Sequence, residues 1–476
     1  MTSYPAHAAV PPPGCPAHQP TGLPPLYGPD FAADPESTYR LLHQQGPASW
    51  IELPQGIQAI VITDYSCALE VLRSPYFSKD ARRWEALNQG LVPADSELLP
   101  MMAWRPSLLY ADADRHRRLR QAADDCLARV DAHQLRHFVQ ASAVGLIQQV
   151  APAGRADLAA DYAVRLPVLV FTQLFGCPDE WVADMAAACS QMIDAEPAAA
   201  QAGGANLAAL LGQLIAAKRE RPGADLTSWL LEHPARLTDE EMVHQLVVLI
   251  GAGTVPMSAW ISSTLMMMLT DDRFAGDLSG GSLTIGDALN DVLWSKSPMS
   301  NFCFHYATRE YGLRDRHGRQ FIVPPGVPVL VSLAAANARL SAEASSGHRA
   351  ANHAHLAFSA GPHVCPAQDL AGVIAEVAVE TLLDQLPDVQ LGLDAADLTW
   401  RPGPFHRTLT ALPARFPPSP APTSSGSGAP TWNQQHSDSA PSWTPPAAPS
   451  TPRPPASARR ARPSRWRSLV ASLRGR

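Results

Sequence analysis

The sequence predicts a mainly α-helical protein with small β-sheets, and two kinds of pattern lead to this fold class. Residues 156–216 are rich in alanine and leucine at helical spacing. A second long helix, over residues 242–269, follows a capping box in which Thr238 stands at the cap position and Glu241 three residues later. The stretches that favour β-structure are only a few residues long, so the sheets that they form are small.

The first elements are predicted in the order helix, hairpin, helix. A helical pattern begins near Tyr39, and short strands over residues 50–53 and 59–63 flank a Pro-Gln-Gly turn. Asp64 then caps a second helix, because its carboxylate can accept from the first free N–H groups.

Composition excludes nucleic acid as a partner of the body. The chain has 476 residues, 46% of them hydrophobic and 17% charged, so it can bury a large core. The formal net charge is −7, and eight arginines against one acidic residue follow residue 416, so the body itself is acidic. A body without a basic excess is not expected to meet phosphates.

A cytoplasmic location is expected. The seven cysteines are an odd number without paired spacing, which is typical of free thiols in a reducing compartment. Residues 1–24 form a Pro-rich leader without the pattern of a signal peptide, and no run of about eighteen apolar residues appears. We therefore expect no transmembrane span.

Cys365 lies between a glycine-containing loop and a long apolar helix. Pro366 suits the first helical position, where a missing N–H costs nothing. Cys365 is then expected at the positive end of the helix, where backbone donors favour thiolate over thiol, and a thiolate so held is a metal ligand. The alternative is a buried structural cysteine that caps the helix.

Residues 358–371, Phe-Ser-Ala-Gly-Pro-His-Val-Cys-Pro-Ala-Gln-Asp-Leu-Ala, resemble the haem-ligand loop of the cytochromes P450, F-G-x-G-x-H-x-C-x-G followed by L-A. Ser359 and Ala367 replace glycines of that motif. The resemblance implies haem b (iron protoporphyrin IX) as the cofactor, with the Cys365 thiolate as its axial iron ligand. The matching residues are Phe358, Gly361, His363, Cys365, Leu370 and Ala371.

The same resemblance implies a P450 fold for residues 25–416, a triangular helical body with the haem between a distal and a proximal helix. Residues 85–110 correspond by position to the loop that covers the substrate in that family. Apolar side chains in such a loop are as often ordinary core residues, so both interpretations stay open.

His116 and Arg120 match the H-x-x-x-R motif of the family. They stand four residues apart and share one helix face, so both can point at one anionic group, which the resemblance identifies as the haem propionates. His305 stands where the family usually has an arginine for the second propionate. Arg117 and Arg118 face elsewhere, which suits docking of an acidic ferredoxin. The alternative is a solvated basic helix face.

The long helix over residues 242–269 corresponds by position to the distal helix, where the family usually has A-G-x-[D/E]-T. In the family, the acid and the alcohol of this motif deliver protons to oxygen. Here Gly253 matches the glycine of the motif, but Val255 stands at the place of the acid and Pro256 at the place of the alcohol. Thr254 lies about 200° round the helix from the usual alcohol position. Gly253 and Thr254 are the candidate catalytic residues on this helix, which Pro256 is expected to kink.

A second departure concerns the family's E-x-x-R ion pair. Asp291 stands at the place of the glutamate and Trp294 at the place of the arginine, so packing of the indole is expected to replace the pair. A tryptophan at this place resembles one actinobacterial branch of the family, whose members tend to occur beside small-GTPase-like signalling proteins.

Two functions follow from the resemblance. The first is a haem-thiolate oxidoreductase of the P450 monooxygenase type, which acts on a small apolar substrate with O₂ and electrons from a ferredoxin and ferredoxin reductase. The second is a catalytically weakened haem-thiolate binding or signalling protein. The altered distal helix and the missing arginine weaken the case for the first function without excluding it.

The C-terminal part is predicted to be a disordered Pro/Ser-rich linker over residues 417–462 and a basic amphipathic tail over residues 463–476. The tail is a candidate for peripheral membrane-surface or signalling-protein contact, and the alternative is an Arg-rich disordered tail. Its apolar stripe at i, i+3, i+4 and i+7 consists of Trp466, Leu469, Val470 and Leu473.

Overall fold

The computed structural model of the chain describes residues 22–191, 197–271, 284–301, 303–343 and 352–419. The chain divides into two units, Met1–Trp432 and Asn433–Arg476, and all described residues belong to the first. The predictions for the leader, the linker and the amphipathic tail therefore lie outside the described residues, apart from residues 22–24 and 417–419.

Helices make up most of the fold, as the sequence predicts. In chain order they are α1 (Gly28–Ala33), α2 (Pro35–Gln45), α3 (Tyr65–Arg73), α4 (Glu85–Asn88), α5 (Leu99–Met102), α6 (Ala113–Leu127), α7 (Ala132–Val150), α8 (Arg165–Leu174), α9 (Val182–Gln191), α10 (Pro197–Glu220), α11 (Leu226–Glu232), α12 (Asp239–Thr270), α13 (Ile285–Ser295), α14 (Leu333–Glu343) and α15 (Gln368–Gln385).

The strands form three small sheets. They are β1 (Ala48–Leu53), β2 (Ile57–Ile62), β3 (Phe77–Ser78), β4 (Arg155–Asp157), β5 (Cys303–Ala307), β6 (Tyr311–Arg314), β7 (Gln320–Val323), β8 (Pro328–Val331), β9 (Gln390–Leu391) and β10 (Pro413–Arg415). The largest sheet has five strands in the order β1-β2-β8-β5-β3, while β4-β10-β9 and the hairpin β6-β7 are separate.

Local sequence signals position several of these elements. The Asp64 side chain accepts from the N–H groups of Ser66 and Cys67 and caps α3, as predicted. The capping box of α12 is also confirmed, because the Thr238 hydroxyl accepts from the Glu241 N–H and the Glu241 carboxylate from the Thr238 N–H. These caps satisfy donors that a helix N-terminus otherwise leaves free.

Three main clusters of buried apolar residues surround the sheet and the long helices. The largest cluster joins α7, α8, α10, α12, α13 and α15. A second cluster takes alternate residues of β1, β2, β5 and β8 and packs them against Trp84 and Met102. Because successive side chains of a strand point to opposite faces, the intervening strand residues pack into a third cluster.

Helix α12 crosses the larger core and packs against α8, α10, α13 and α15. It runs as one helix through Pro256. By length and composition alone α12 could cross a membrane, a property that our sequence analysis missed because it looked for an uninterrupted apolar run. In the fold, 56% of its most apolar window is buried, as in the core helix of a globular protein.

Candidate functional site

The loop before Cys365 is closed by its own backbone. The Cys365 N–H donates to the Phe358 carbonyl at 2.9 Å, and the Val364 N–H donates to the Gly361 carbonyl at 3.1 Å. Helix α15 begins only at Gln368, so the prediction that Pro366 takes the first helical position is wrong. The reason is that the first helical hydrogen bond runs from the Ala371 N–H to the Ala367 carbonyl, which makes Ala367 the cap residue.

Cys365 differs from the other described cysteines in its exposure. Its side chain is partly exposed, whereas Cys67, Cys126, Cys177 and Cys189 are buried. Burial still raises the pKa of the Cys365 thiol, although the Ala367 N–H and the Arg120 guanidinium lower it. The backbone donor therefore acts in the predicted direction but is outweighed by burial, and a bound metal cation would favour the deprotonated sulfur further.

Two residues of the loop have left-handed backbone conformations. Gly361 has φ +70°, and a Cβ there would collide with the carbonyl of Leu72 at the end of α3, so only glycine fits. Ser359, which replaces a family glycine, has φ +65°. A left-handed conformation costs an ordinary residue roughly 1–2 kcal/mol, so the serine keeps the loop shape at the expense of local strain.

Phe358 connects the loop to the distal side of the site. Its ring meets the Trp260 ring of α12 edge-on, with 5.7 Å between the ring centroids. The Trp260 indole N–H in turn donates to the Leu289 carbonyl of α13 at 3.0 Å. The loop, α12 and α13 are thus held together by one aromatic contact and one buried hydrogen bond.

Arg120 is bonded directly to the cysteine loop. Its guanidinium donates to the carbonyls of Pro362 at 3.2 Å and Val364 at 2.6 Å, and to the Asp124 carboxylate at 2.7 Å. The predicted motif on α6 therefore faces the loop that carries Cys365.

His116 and His363 lie side by side next to Arg120. Their rings lie 4.0 Å apart between centroids, and the His116 Nε2 and His363 Nδ1 atoms are buried without a hydrogen-bond partner among the described residues. Burial lowers the pKa of both imidazoles, and the positive charges of Arg120 and Lys79 lower it further. His305 is buried on β5 and acts electrostatically on His363. The structure thus brings together the side chains that the sequence predicts to bind the haem carboxylates.

Sequence reasoning missed Lys79. Its side chain is buried, with 6% exposure, and its ammonium donates to the Phe304 carbonyl at 2.5 Å. Lys79 follows β3, which pairs with β5, and that long-range pairing leaves no trace in the local sequence. The one available signal was the rarity of lysine, since the chain holds only Lys79, Lys218 and Lys296.

The distal helix presents an open face that carries no acid and no alcohol. Ala252 is exposed, and Val255 and Pro256 are half-buried in the middle of the helix. Thr254 is buried instead, and its hydroxyl donates to the Ile250 carbonyl at 3.0 Å. Thr254 also lies beside Cys189 of α9. The geometry therefore turns Thr254 away from the open face.

Gly253 makes room for an aromatic ring. A Cβ at this position would collide with the Phe171 ring of α8. Ser258, the second hydroxyl nearby, donates to the Thr254 carbonyl at 2.8 Å and is also buried. Both hydroxyls on this part of α12 are thus used inside the helix, as is common for Ser and Thr in helix interiors.

Trp294, which the sequence predicts at the place of the family arginine, is fully enclosed. Its indole N–H donates to the Asn352 carbonyl at 2.7 Å, to which the Asn290 amide also donates at 3.2 Å. The Trp294 ring meets His355 edge-on with 5.8 Å between centroids. The indole therefore joins α13 to the chain that enters the cysteine loop, while Asp291 is half-buried on the same helix.

The irregular stretch over residues 85–110 contributes several side chains to the core. Met102 is buried in the second core, and the half-buried Leu109 packs against the same cluster. Trp104 lies between two guanidinium groups, 4.5 Å from that of Arg82 and 5.5 Å from that of Arg115. A small cavity below the stretch is lined by Lys79, Ala81, Met102, Leu109, Tyr110, Phe304 and Tyr306.

The two arginines expected at a docking surface differ in their contacts. Arg118 is paired with the buried Glu241 carboxylate at 2.6 Å. Arg117 is highly exposed and is paired with Asp114 on its own helix. Arg117 therefore remains the residue that suits an external acidic partner.

Comparison with known proteins identifies the family, although no family model matches the chain. Cytochrome P450 monooxygenase PikC of Streptomyces venezuelae is 32% identical over 405 residues, which cover 82% of this chain and 92% of that protein. Vitamin D(3) 25-hydroxylase of Pseudonocardia autotrophica is 26% identical over 409 residues, 83% of this chain and 96% of that protein.

A solved structure, that of CYP154C4 from Streptomyces sp. W2061, superimposes with a TM-score of 0.75 at 26% identity and covers 83% of this chain and 98% of its own. The relatives are named as monooxygenases and hydroxylases, so the alternative of a weakened signalling protein is not favoured. The chain belongs to the cytochrome P450 family and is an oxidoreductase of the monooxygenase type.

Proposed function

We propose that the chain binds haem b through the Cys365 thiolate and hydroxylates a small apolar molecule in the cytoplasm, with electrons from a ferredoxin and its reductase. The observation that carries the proposal is the cluster of His116, His363 and Arg120 beside Cys365, in which two buried imidazole nitrogens lack partners among the described residues. Buried polar atoms without partners are rare in folded proteins, so the cluster fits a bound anion such as the haem carboxylates.

Each residue of the cluster has a distinct part in this proposal. His116 and His363 offer their unpartnered nitrogens to the haem carboxylates, and His305, which is buried on β5, is the third histidine of this predicted site. Arg120 contributes charge while its hydrogen bonds fix the loop that orients Cys365. When bound, a haem ligated by thiolate supplies reductive activation of O₂, and the thiolate pushes electron density that favours O–O cleavage.

The experiment that tests the proposal is the spectrum of the purified protein. The reduced CO complex of the wild-type chain is expected to absorb at about 450 nm, which indicates thiolate ligation. Cys365→Ala is expected to abolish this band, because it removes the ligand atom. The buried Cys126 serves as the matched control, and Cys126→Ala should retain the band. An unchanged band in Cys365→Ala would contradict the assignment.

Proton delivery to bound oxygen is expected to be inefficient. The open face of α12 carries Val255 and Pro256, and the Thr254 hydroxyl is bonded to the Ile250 carbonyl. Since proton transfer requires a donor within hydrogen-bond reach, most electrons from NADPH should leave as hydrogen peroxide. The measurement is the ratio of peroxide formed to NADPH consumed.

Two variants make this measurement specific. The double variant Val255→Asp, Pro256→Thr is expected to lower the peroxide ratio, because it restores an acid and an alcohol on the open face. Thr254→Val should leave the ratio unchanged, since its hydroxyl faces the helix backbone and α9. A higher ratio in Thr254→Val would return Thr254 to the relay and contradict the geometric argument.

A further inference from the structure

His244 belongs to the open face of α12, about two turns before Ala252. Successive residues of a helix are about 100° apart, so the positions four, seven and eleven residues after His244 fall on its face. These positions hold Val248, Gly251 and Val255, and all of them are half-buried, as His244 is. The face that carries Val255 near the middle of α12 therefore continues to His244.

The His244 ring carries a polar atom that the fold leaves without a partner. Its Nδ1 is buried and has no hydrogen-bond partner among the described residues. The neighbouring Gln245 side chain accepts from the Leu108 N–H at 3.1 Å, so the stretch over residues 85–110 is tied to α12 at this level. Because buried polar atoms without partners are rare in folded proteins, the His244 nitrogen indicates a place where a polar group binds.

Arg105 supplies a positive charge near His244. It stands three residues before Leu108, and its guanidinium donates to the Pro100 carbonyl at 2.5 Å and acts on the Tyr110 hydroxyl. Among the described residues, no carboxylate forms an ion pair with Arg105. A guanidinium has five N–H donors, so these contacts leave donors for a further acceptor. Burial and the charge of Arg105 lower the pKa of the His244 imidazole, and the exposed Glu240 opposes this effect more weakly.

The distance along α12 separates this polar end from the rest of the open face. With a rise of about 1.5 Å per residue, His244 lies about 12 Å along the axis from Ala252 and about 17 Å from Val255. The face between them carries the apolar Val248 and Gly251. A molecule that fills this face is therefore expected to be apolar over most of its length and polar at the end next to His244.

We propose that His244 and Arg105 bind a carboxylate of the substrate, which is a long and otherwise apolar carboxylic acid. This inference rests on the proposed function, since it identifies the substrate class of the same site. The Arg105 guanidinium supplies a permanent positive charge, and the neutral His244 imidazole supplies a directed hydrogen bond through Nδ1. The two residues thereby set the orientation of the substrate, with its apolar end towards Val255.

The test measures how tightly the full-length, haem-loaded protein binds dodecanoate and its uncharged analogue dodecanol, by equilibrium dialysis. The wild-type chain is expected to prefer dodecanoate, because only the anion gains from the charge of Arg105. Arg105→Met should lower this preference by roughly 10- to 100-fold, the effect of one charge-assisted hydrogen bond. His244→Phe should also lower the preference, and His244→Gln, which keeps an N–H donor, should retain most of it. The control is Arg221→Met, which changes an exposed arginine just after α10 and should leave the preference unchanged.

The outcomes separate this inference from the proposed function. A wild-type chain that binds no haem overturns both. A haem-loaded wild-type chain without a preference for dodecanoate overturns the inference alone, and so does an unchanged preference in Arg105→Met. A merely structural role of Arg105 would weaken the binding of both ligands equally and leave their ratio unchanged. Arg105→Gln keeps a donor for the Pro100 carbonyl without the charge, so the same ratio measured on it decides the matter if the methionine variant fails to fold.

Discussion

Gly361→Ala is expected to abolish haem incorporation. A Cβ at residue 361 would collide with the Leu72 carbonyl and lie 3.2 Å from the Arg73 Cα, and backbone atoms cannot move aside as a flexible side chain can. The left-handed conformation adds a cost of roughly 1–2 kcal/mol. The turn must therefore open, and the Pro362 and Val364 carbonyls then lose their bonds to Arg120.

Haem absorbance per chain of the purified variant measures this effect, and circular dichroism shows whether the helices persist. Gly145→Ala is the matched control, because Gly145 lies inside α7 and a Cβ there meets nothing within 4 Å. The control is expected to bind haem normally and to gain up to about 1 kcal/mol of stability from helix propensity. Wild-type haem content in Gly361→Ala would show that the turn does not need glycine.

Trp294→Ala is expected to cost about 3–5 kcal/mol of unfolding free energy, the usual range for removing a buried tryptophan. The side chain is 1% exposed, so its removal leaves a cavity between α13 and the chain that enters the cysteine loop. The variant also loses the hydrogen bond to the Asn352 carbonyl and the edge-on contact with His355. Haem content should fall together with stability, because both contacts hold that loop.

Trp294→Phe separates packing from hydrogen bonding. Phenylalanine keeps most of the apolar volume but has no N–H, and the Asn290 amide still donates to the Asn352 carbonyl. The expected cost therefore falls to about 0.5–1.5 kcal/mol, the usual net contribution of one hydrogen bond. Urea unfolding of the loaded proteins gives both values. Equal costs for Trp294→Ala and Trp294→Phe would mean that the hydrogen bond alone matters, and a negligible cost for both would refute the structural role of the indole.

Features that depend on neighbouring residues were predictable from the sequence. The cap of α3 by Asp64, the capping box of α12 and the rotation of Thr254 away from the alcohol position follow from local spacing and helix geometry. The start of α15 was not predictable, because the identity of Pro366 does not show which carbonyl accepts the first helical bond.

Features that depend on distant pairing were missed or incompletely predicted. Lys79 joins the site only through the pairing of two strands far apart in the chain, and no local pattern encodes such a register. The sequence singled out Trp294 by its position in the motif, but the acceptor of its indole N–H, the Asn352 carbonyl 58 residues later, could not be predicted. A sequence motif therefore located the cysteine loop, while the packing that supports the loop required the structure.

The Glu241 carboxylate holds three separate contacts at the start of α12. It accepts from the Thr238 N–H at 3.1 Å, from Arg118 at 2.6 Å and from Arg115 at 3.2 Å. Burial alone would raise the pKa of this carboxyl, but the Thr238 N–H and the arginines bring the pKa below its usual value. The contribution to stability is therefore complete above the ordinary glutamate pKa and is lost as the pH falls through the lowered value. A single proton bound in acid would thus weaken one half of the helix cap and both ion pairs between α6 and α12 at once.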